Sequence, residues 1–281
     1  WRSPKHPLSR LEPVMLKPSS LPLLLLPIFS CMLLTKASGQ WISVPLPGNH
    51  PEVFALATHG DKGLLIGTGG LPNSQTNATG MLWSDDHGDS IKPRSNGVAA
   101  SRFDQLFRSL HSNDGLLTAA SADGVYFSEN DGETWEKRSK GLPVIPQTGK
   151  KSSNALASLH GSIFCGTPAG VFKTTDKGRS WIDCSSGLMN PDVRALTTLD
   201  DLIFASTDGD GVHRSSDGGK TWSAANTGMP PGSRSRALIA HQGTLFAGTP
   251  YGTFRSTDKG KSWTRTVAAA NARSFATGEK I

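Results

Sequence analysis

Acidic residues in five short polar stretches are the first candidates for chemistry in this 281-residue chain. Asp86, Asp176, Asp217 and Asp258 each follow a hydroxyl residue by two positions and precede a glycine by two, and Asn130 takes that place in one stretch. Carboxylates of this kind could bind calcium or transfer protons. Each stretch offers one well-placed acid beside variable neighbours, whereas calcium takes about six or more oxygen ligands. We therefore predict a structural role without metal or cofactor, and keep calcium binding or catalysis as the alternative.

The acidic stretches are copies of one repeat. They read SDDHGDSI (84–91), SENDGETW (128–135), TTDKGRSW (174–181), SSDGGKTW (215–222) and STDKGKSW (256–263). Their acidic positions are 44, 46, 41 and 41 residues apart, a period typical of stacked units or propeller blades. A hydroxyl, an Asp and a Gly in this order suit a tight hairpin turn, because the carboxylate accepts backbone N–H groups and glycine tolerates positive φ.

An aromatic residue closes four of the five copies. Trp135, Trp181, Trp222 and Trp263 are expected to pack over the turn and hold it to its blade, and Ile91 marks the first copy as degenerate. Four short strands can be read around the turn, most clearly as VRALTTL, LIFAST, GVHRSS and TWSAA within 193–231. One such antiparallel sheet cannot bury both of its faces, so several must pack radially. We predict an all-β propeller of four-stranded antiparallel blades.

The pattern S-x-D-x-G-x-[ST]-W resembles the Asp-box, or bacterial neuraminidase repeat, over residues 41–281. This box occurs in sialidases, in some xyloglucan-active hydrolases, in sorting-receptor propellers and in photosystem II stability/assembly factors. The resemblance implies a propeller but says little about function, since in those families the boxes lie on blade hairpins away from the site. Compact blades and arginine-led inner strands make the chain most similar to the assembly-factor type, which implies a non-catalytic scaffold for a membrane complex.

The chain divides into a leader and a propeller. Residues 1–39 are interpreted as upstream sequence and a signal peptide that starts at Met15, with the apolar run 21–34 followed by small residues and a cleavage site expected after Gly39. This order predicts a secreted, periplasmic or lumenal protein without a transmembrane helix in the mature chain. A lipoprotein with lipidated Cys31 is the alternative.

Residues 40–281 are predicted to hold five blades and part of a sixth. Residues 272–281 align with 193–202, and the stretch 41–48 resembles the outermost strand of a blade. We therefore expect a fragment of a six- or seven-bladed propeller.

Arginines recur at the first aligned position of the innermost strands. The six positions hold Phe54, Arg108, Asn154, Arg194, Arg236 and Arg273. Equivalent positions of a radial array form a ring, and guanidinium groups pair with carboxylates or phosphates. We predict that these arginines, with Asn154, bind the anionic groups of a protein or glycan partner. The alternative is that each arginine pairs with an acid of the next blade or points to solvent.

A sialidase-like or xyloglucan-active glycoside hydrolase is the main alternative function, and a receptor-like ectodomain fragment is a third hypothesis. Sialidases combine an arginine triad with a Tyr nucleophile, a Glu and an Asp acid/base, but the tyrosines here, Tyr126 and Tyr251, are not placed toward the mouth. We assign no catalytic residue. His59, His160 and His241 occupy equivalent turns and are interpreted as turn filling, and their spacing indicates no metal site. The sequence indicates no serine-based triad.

The charge distribution argues against nucleic-acid binding. The formal charge is +6, but residues 1–39 hold five Lys or Arg and one acid, which leaves +2 for the rest. A nucleic-acid binder usually concentrates far more positive charge among aromatic residues. The oligomeric state is left open.

Overall fold

The protein, described by a computed structural model, is built from β-strands. The structure describes residues 32–34, 41–43, 52–69, 80–86, 88–98, 106–267 and 272–275. These ranges hold 22 strands and no helix, which confirms the all-β prediction. The described residues therefore contain no long apolar helix that could span a bilayer. Most of the predicted leader, together with residues 70–79 and 276–281, lies outside the described residues.

Five four-stranded antiparallel sheets form a five-bladed propeller. Blade one contains β3 (Glu52–Thr58), β4 (Leu64–Gly69), β5 (Met81–Ser84) and β6 (Lys92–Pro93). Blade two contains β7 (Phe107–Asn113), β8 (Leu116–Ser121), β9 (Gly124–Ser128) and β10 (Glu136–Lys137). Blade three contains β11 (Ala155–Leu159), β12 (Ser162–Thr167), β13 (Gly170–Thr174) and β14 (Ile182–Asp183). Blade four contains β15 (Val193–Leu199), β16 (Leu202–Thr207), β17 (Gly211–Ser215) and β18 (Ser223–Ala224). Blade five contains β19 (Ala237–His241), β20 (Thr244–Thr249), β21 (Gly252–Ser256) and β22 (Thr264–Val267).

The strands of each blade follow chain order from the axis outward, since the first strands of consecutive blades contact one another. The predicted first and second strands of blade four coincide with β15 and β16, whereas β18 is shorter than the predicted TWSAA. A separate pair is formed by β1 (Met32–Leu34) and β2 (Trp41–Ser43), which are antiparallel. Residues 41–48 were predicted to resemble an outermost strand; their described part, β2, pairs with β1 of the predicted leader.

The hydrophobic core lies between blades rather than within them. Phe164 and Val171 of blade three pack with Val193 and Ile203 of blade four in one cluster. Middle strands such as β8 and β9 are buried along almost their whole length, because each is covered on both faces. The outermost strands of the first four blades are two residues long and exposed. Short outer edges limit unwanted pairing with other chains.

Glycines in the second strands let the next innermost strand approach closely. A Cβ atom added at these positions would lie 2.9 Å from Phe107 Cβ for Gly67, 2.6 Å from Val193 Cγ1 for Gly166, and 2.8 Å from Ala272 Cβ for Gly248. Ala272 therefore packs against Gly248 of blade five in the same way that Val193 packs against Gly166 of blade three. Residues 272–275 lie where the innermost strand of a sixth blade would begin.

The five acidic stretches form turns between the third and fourth strands, which we call the box turns (84–91, 128–135, 174–181, 215–222 and 256–263). In the turn of blade four, Ser215 Oγ donates to Asp217 Oδ1 at 2.8 Å, and the same oxygen accepts the Thr221 N–H at 2.9 Å. The Gly219 N–H donates to Ser215 Oγ at 2.9 Å, and Gly219 has a φ of 84°. The other four turns repeat these bonds, with Asn130 Oδ1 in place of a carboxylate oxygen.

The tryptophans of the box turns join neighbouring blades. Each indole Nε1 donates to a backbone carbonyl of the preceding blade, at 2.9 Å from Trp135 and Trp181 and at 2.7 Å from Trp222 and Trp263. All four side chains are buried. The sequence predicted that each indole would hold the turn to its own blade; the structure shows it spanning the boundary, because the turn lies against the previous sheet.

The antiparallel order gives the propeller two distinct ends. The innermost strands begin at one end, which also carries the turns between second and third strands; we call it the mouth face. The box turns and the turns between first and second strands lie at the opposite end, the box face.

Candidate anion-binding site at the mouth of the propeller

Backbone bulges position several of the predicted ring residues. The pairing of β7 with β8 shifts register between Phe107 and Ser109, so that Arg108 is the additional residue. Arg194 is the additional residue between β15 and β16 in the same way, and Phe54 between β3 and β4. A bulge redirects the side chain of the additional residue away from the regular pleat. The shared bulge and the shared glycine contacts confirm that Arg108 and Arg194 are equivalent positions.

Arg108 is held by neutral partners. Its Nη1 donates to Ser152 Oγ at 2.8 Å and to Asn154 Oδ1 at 2.9 Å. Asn154 is buried, and its Nδ2 donates to the Val193 carbonyl of blade four at 2.8 Å. The amide therefore orients the guanidinium of blade two while it bridges to blade four. No described carboxylate forms an ion pair with Arg108.

Arg194 is held by two carboxylates. Its Nη2 donates to Asp192 Oδ2 at 2.5 Å and to Asp208 Oδ2 at 2.9 Å. Asp208 is 15% exposed and also lies 3.8 Å from Arg236 Nη2 and 3.5 Å from Arg234 Nε. Blade four thus places an acidic pair among three arginines. Arg236 lies near an acid of the neighbouring blade, whereas both carboxylate partners of Arg194 belong to its own blade.

The remaining ring positions are open to solvent. Phe54 and Arg273 are both exposed, and Arg273 makes no hydrogen bond or ion pair with any described residue. Partial removal from water and the nearby charge of Arg194 lower the pKa of Arg108, although a guanidinium keeps its proton at physiological pH. Burial raises the pKa of Asp192 despite its arginine partner. Arg194 is therefore bonded directly to two carboxylates, whereas Arg108 is bonded to neutral groups and interacts with the charge of Asp192 only at longer range.

Sequence reasoning missed the residues that divide the mouth in this way, namely Ser152, Asp192, Asp208 and Arg234. One signal was available for Asp208, because Thr207 is followed by aspartate where Thr167 and Thr249 are followed by proline. The contact between Asp208 and Arg234 joins neighbouring blades, and no spacing within one repeat indicates it.

The other residues weighed from the sequence are spread over the propeller. Tyr126 is buried on β9, with its ring edge-on to Phe107 at 6.0 Å. Tyr251 is exposed in the turn between β20 and β21, which belongs to the mouth face, so the prediction that it is not placed toward the mouth was wrong. His160 is on the surface and bonds to Asp201 at 2.9 Å. His59, in contrast, is buried in a polar network on the box face. Among the described residues, no group of three or more His, Cys, Asp or Glu side chains could hold a metal ion.

Comparison with known proteins supports the fold alone. No family model and no curated protein matches the sequence. Solved structures do match: the extracellular domain of BT4673 from B. thetaiotaomicron has a TM-score of 0.63 at 12% identity, over 88% of this chain and 35% of that one. The GH74 enzyme of Niastella koreensis has a TM-score of 0.52 at 16% identity, over 82% and 33%. YCF48 bound to D1 peptide has a TM-score of 0.59 at 16% identity, over 84% and 75%.

The chain shares the β-propeller fold with these proteins. It spans about a third of the length of BT4673 and of the GH74 enzyme, at 35% and 33%. One fold carries many unrelated activities, so function must be argued from the site.

Proposed function

We propose that the protein is an exported, Asp-box-type propeller whose mouth binds an anionic group of a partner protein. The observation that carries this proposal is the guanidinium of Arg108, which is oriented by Ser152 and Asn154 without a carboxylate. A cation positioned by neutral hydrogen bonds keeps its charge available for an incoming anion. Arg194, in contrast, already has two carboxylate partners.

The anion site is therefore smaller than a symmetric ring. Arg108 and Asn154 form its centre, and Arg273 is a further exposed cation at an equivalent position. Arg194 and Arg236 act mainly through Asp208, which ties blade four to blade five. Arg194 and Arg236 therefore attract an incoming anion more weakly and over a longer distance than Arg108 does.

A protein partner is favoured over a glycan. The fold of this chain is similar to that of YCF48, which was solved with a bound peptide, at a TM-score of 0.59. Among the described residues, Phe54 and Tyr251 are the large aromatic side chains exposed on the mouth face, which limits the stacking surface for sugar rings. A scaffold role in the assembly or stability of a membrane complex is consistent with peptide binding at the mouth.

Export and the Asp-box assignment belong to the same proposal. Three of the five box turns read S-x-D-x-G, and the other two differ by Asn130 or Thr174. All five share one set of hydrogen bonds, which supports their assignment as Asp-boxes. The apolar run 21–34 supports an exported protein. Lipidation of Cys31 remains the alternative route to the membrane surface.

A glycoside hydrolase is the less favoured function. Asp192 and Asp208, the two carboxylates of the mouth network, are both bonded to Arg194, and Tyr126 is buried in the core. Hydrolysis of a fluorogenic sialoside or of xyloglucan by the purified protein would favour the enzyme instead.

Peptide binding tests the proposal. The probe is a fluorescein-labelled peptide rich in Asp and Glu with a free carboxyl terminus, compared by fluorescence polarisation with a Lys-rich amidated peptide. Arg108→Ala should weaken acidic-peptide binding roughly 10- to 150-fold, the equivalent of one charge-assisted bond. Arg255→Ala is the matched control, because Arg255 is exposed on β21 near the opposite face. Equal binding of both peptides, or equal loss in both variants, would overturn the proposal.

A further inference from the structure

A serine, a histidine and an aspartate meet in hydrogen-bond contact on the box face, at the junction of blades one and two. His59 Nδ1 lies 2.6 Å from Ser112 Oγ, and His59 Nε2 lies 2.8 Å from Asp131 Oδ1. Lys62 Nζ lies 2.8 and 3.0 Å from the two oxygens of Asp131. The imidazole thus connects a hydroxyl to a carboxylate, and the carboxylate is paired with an ammonium.

Three separate segments bring these side chains together. His59 follows β3, Ser112 lies on β7, and Asp131 lies in the box turn of blade two with a φ of 55°. His59 is 5% exposed, and its ring meets Trp83 edge-on at 6.1 Å. Because the ring is packed and bonded at both nitrogens, its orientation toward Ser112 is fixed.

The propeller does not require this arrangement. The position of Asp131 in its box turn is taken by Lys177, Gly218 and Lys259 in the three following turns. Of the histidines in the corresponding turns, His160 is exposed, and the His241 side chain makes no hydrogen bond with any described residue. Contacts that stabilise this fold recur from blade to blade, as the hydrogen bonds of the box turns do. Parts of the arrangement recur, since His160 pairs with Asp201 and Lys259 with Asp200 across other junctions. Among the described residues, the complete chain of serine, histidine and carboxylate occurs only between blades one and two, which points to a role beyond packing.

The protonation states follow from the contacts. The hydrogen bond to Lys62, followed by that to His59, lowers the pKa of Asp131, which keeps the carboxylate ionised. An ionised carboxylate only accepts hydrogen bonds, so His59 Nε2 donates to Asp131, and in the neutral imidazole Nδ1 accepts from the Ser112 hydroxyl. This is the order of nucleophile, base and orienting acid that defines a serine triad by geometry rather than by sequence position.

We propose that Ser112, His59 and Asp131 form a nucleophilic site that accepts an acyl group from short-chain carboxylic esters. Ser112 Oγ attacks the ester carbonyl carbon while His59 Nδ1 takes the hydroxyl proton. The bond from that carbon to the alcohol oxygen then breaks, and the alcohol leaves with the proton from His59. Water attacks the acylated serine with His59 again as base, which releases the carboxylic acid and restores the Ser112 hydroxyl. Asp131 stabilises the imidazolium at both stages.

A cleft of about 490 Å³ lies beside the site on the box face. Its lining includes Lys62, Asn113 and Asp131, but neither Ser112 nor His59. This volume lies in the range of small-ligand sites. Ser112 is half-buried, and Asp131 is 41% exposed at the rim. The site lies on the face opposite the mouth and is independent of the proposed anion binding.

Active-site labelling tests the proposal. The full chain is incubated with a fluorophosphonate probe, and the modified residue is identified by peptide mass spectrometry. We expect modification at Ser112, loss of labelling in Ser112→Ala, and a labelling rate lowered roughly 100-fold or more in Asp131→Asn. Turnover of p-nitrophenyl acetate should fall in the same two variants.

The chain offers a matched control. Ser158 Oγ lies 2.9 Å from His111 Nε2, but no described carboxylate bonds to His111. Ser158→Ala should label like the parent protein. Circular dichroism checks that each variant is folded, and the labelled position in the parent protein decides the question if a variant unfolds. An unlabelled parent protein, or equal labelling of Ser112 and Ser158, would overturn the proposal.

Discussion

Arg138 Nη1 of blade two donates to the Lys177 carbonyl of blade three at 3.1 Å. The guanidinium also lies over the Phe127 ring at 5.4 Å and pairs with Glu129 and Glu136. Lys177 is a residue of the next box turn, with a φ of 55° that turns its carbonyl toward the previous blade. The same bond recurs at the other three boundaries, from Arg94 to Asp131, from Lys173 to Gly218 and from Arg214 to Lys259. Each boundary is therefore closed by one cation and one box-turn carbonyl.

Removing one such cation should lower stability. Arg138→Met keeps the aliphatic stem over Phe127 but removes the carbonyl contact and two ion pairs, which should reduce the free energy of unfolding by about 1–2 kcal/mol. Urea denaturation monitored by tryptophan fluorescence measures the change. Arg255→Met is the control, because Arg255 is exposed on blade five and should change stability by less than about 0.5 kcal/mol. A similar loss in both variants would show that the carbonyl contact contributes nothing specific.

The indole bonds across the blade boundaries predict a cost for a conservative change. Trp222→Phe removes the donor to the Cys184 carbonyl, which lies 2.7 Å from Trp222 Nε1, and leaves that acceptor unpaired in a buried setting. We expect a loss of about 1–3 kcal/mol in the free energy of unfolding, measured by thermal and urea denaturation. Ile182→Ala serves as a surface control, since Ile182 is exposed beside the same boundary. An unchanged melting temperature for Trp222→Phe would contradict the assigned role.

The box turns predict a loss of stability in acid. Hydrogen bonds from Ser180, followed by that from Thr174, lower the pKa of Asp176 from 3.8 to about 2, and Ser262 and Ser256 do the same for Asp258. A carboxyl group with a lowered folded-state pKa stabilises the fold above its unfolded value, and that stability is lost as the pH falls toward the folded value. The urea midpoint should therefore drop between about pH 4 and pH 2.

Asparagine substitution isolates this effect. Asp176→Asn keeps the acceptor oxygen, as Asn130 does in blade two, but does not titrate. The variant should show a shallower dependence of the urea midpoint on pH over the same range. An identical acid profile for the variant and the parent would place the acid sensitivity elsewhere.

The repeat predicted the blades well because each strand pattern is local and occurs five times. The strands β15 and β16 coincide with the segments read from the sequence, since apolar runs bounded by turn residues specify strands without reference to other blades. The box turns were predictable for the same reason, because their hydrogen bonds span two to four residues.

Contacts between blades could not be predicted in this way. His59 is 53 residues from Ser112 and 72 from Asp131, so their meeting depends on how two blades are superposed about the axis. From the sequence, His59 was interpreted as turn filling, because residues that far apart in the chain give no local sign that they will be in contact. The neutralisation of Arg194 by Asp208 was likewise hidden, since Asp208 departs from the repeat at a position where other blades have no acid.

Substitutions at Arg108 and Arg194 should distinguish an effect on peptide binding from an effect on the stability of the fold. Arg194→Ala leaves Asp192 and Asp208 without their shared partner and should destabilise the fold, because both carboxylates are partly buried. Arg108→Ala removes a guanidinium with neutral partners and should change the melting temperature little.

Titration of both variants with the acidic peptide, measured by fluorescence polarisation, tests the account most directly. We predict that Arg108→Ala loses roughly 10-fold or more in affinity at near-parental stability, whereas folded Arg194→Ala loses less. Full affinity in Arg108→Ala would contradict the anion site at the mouth.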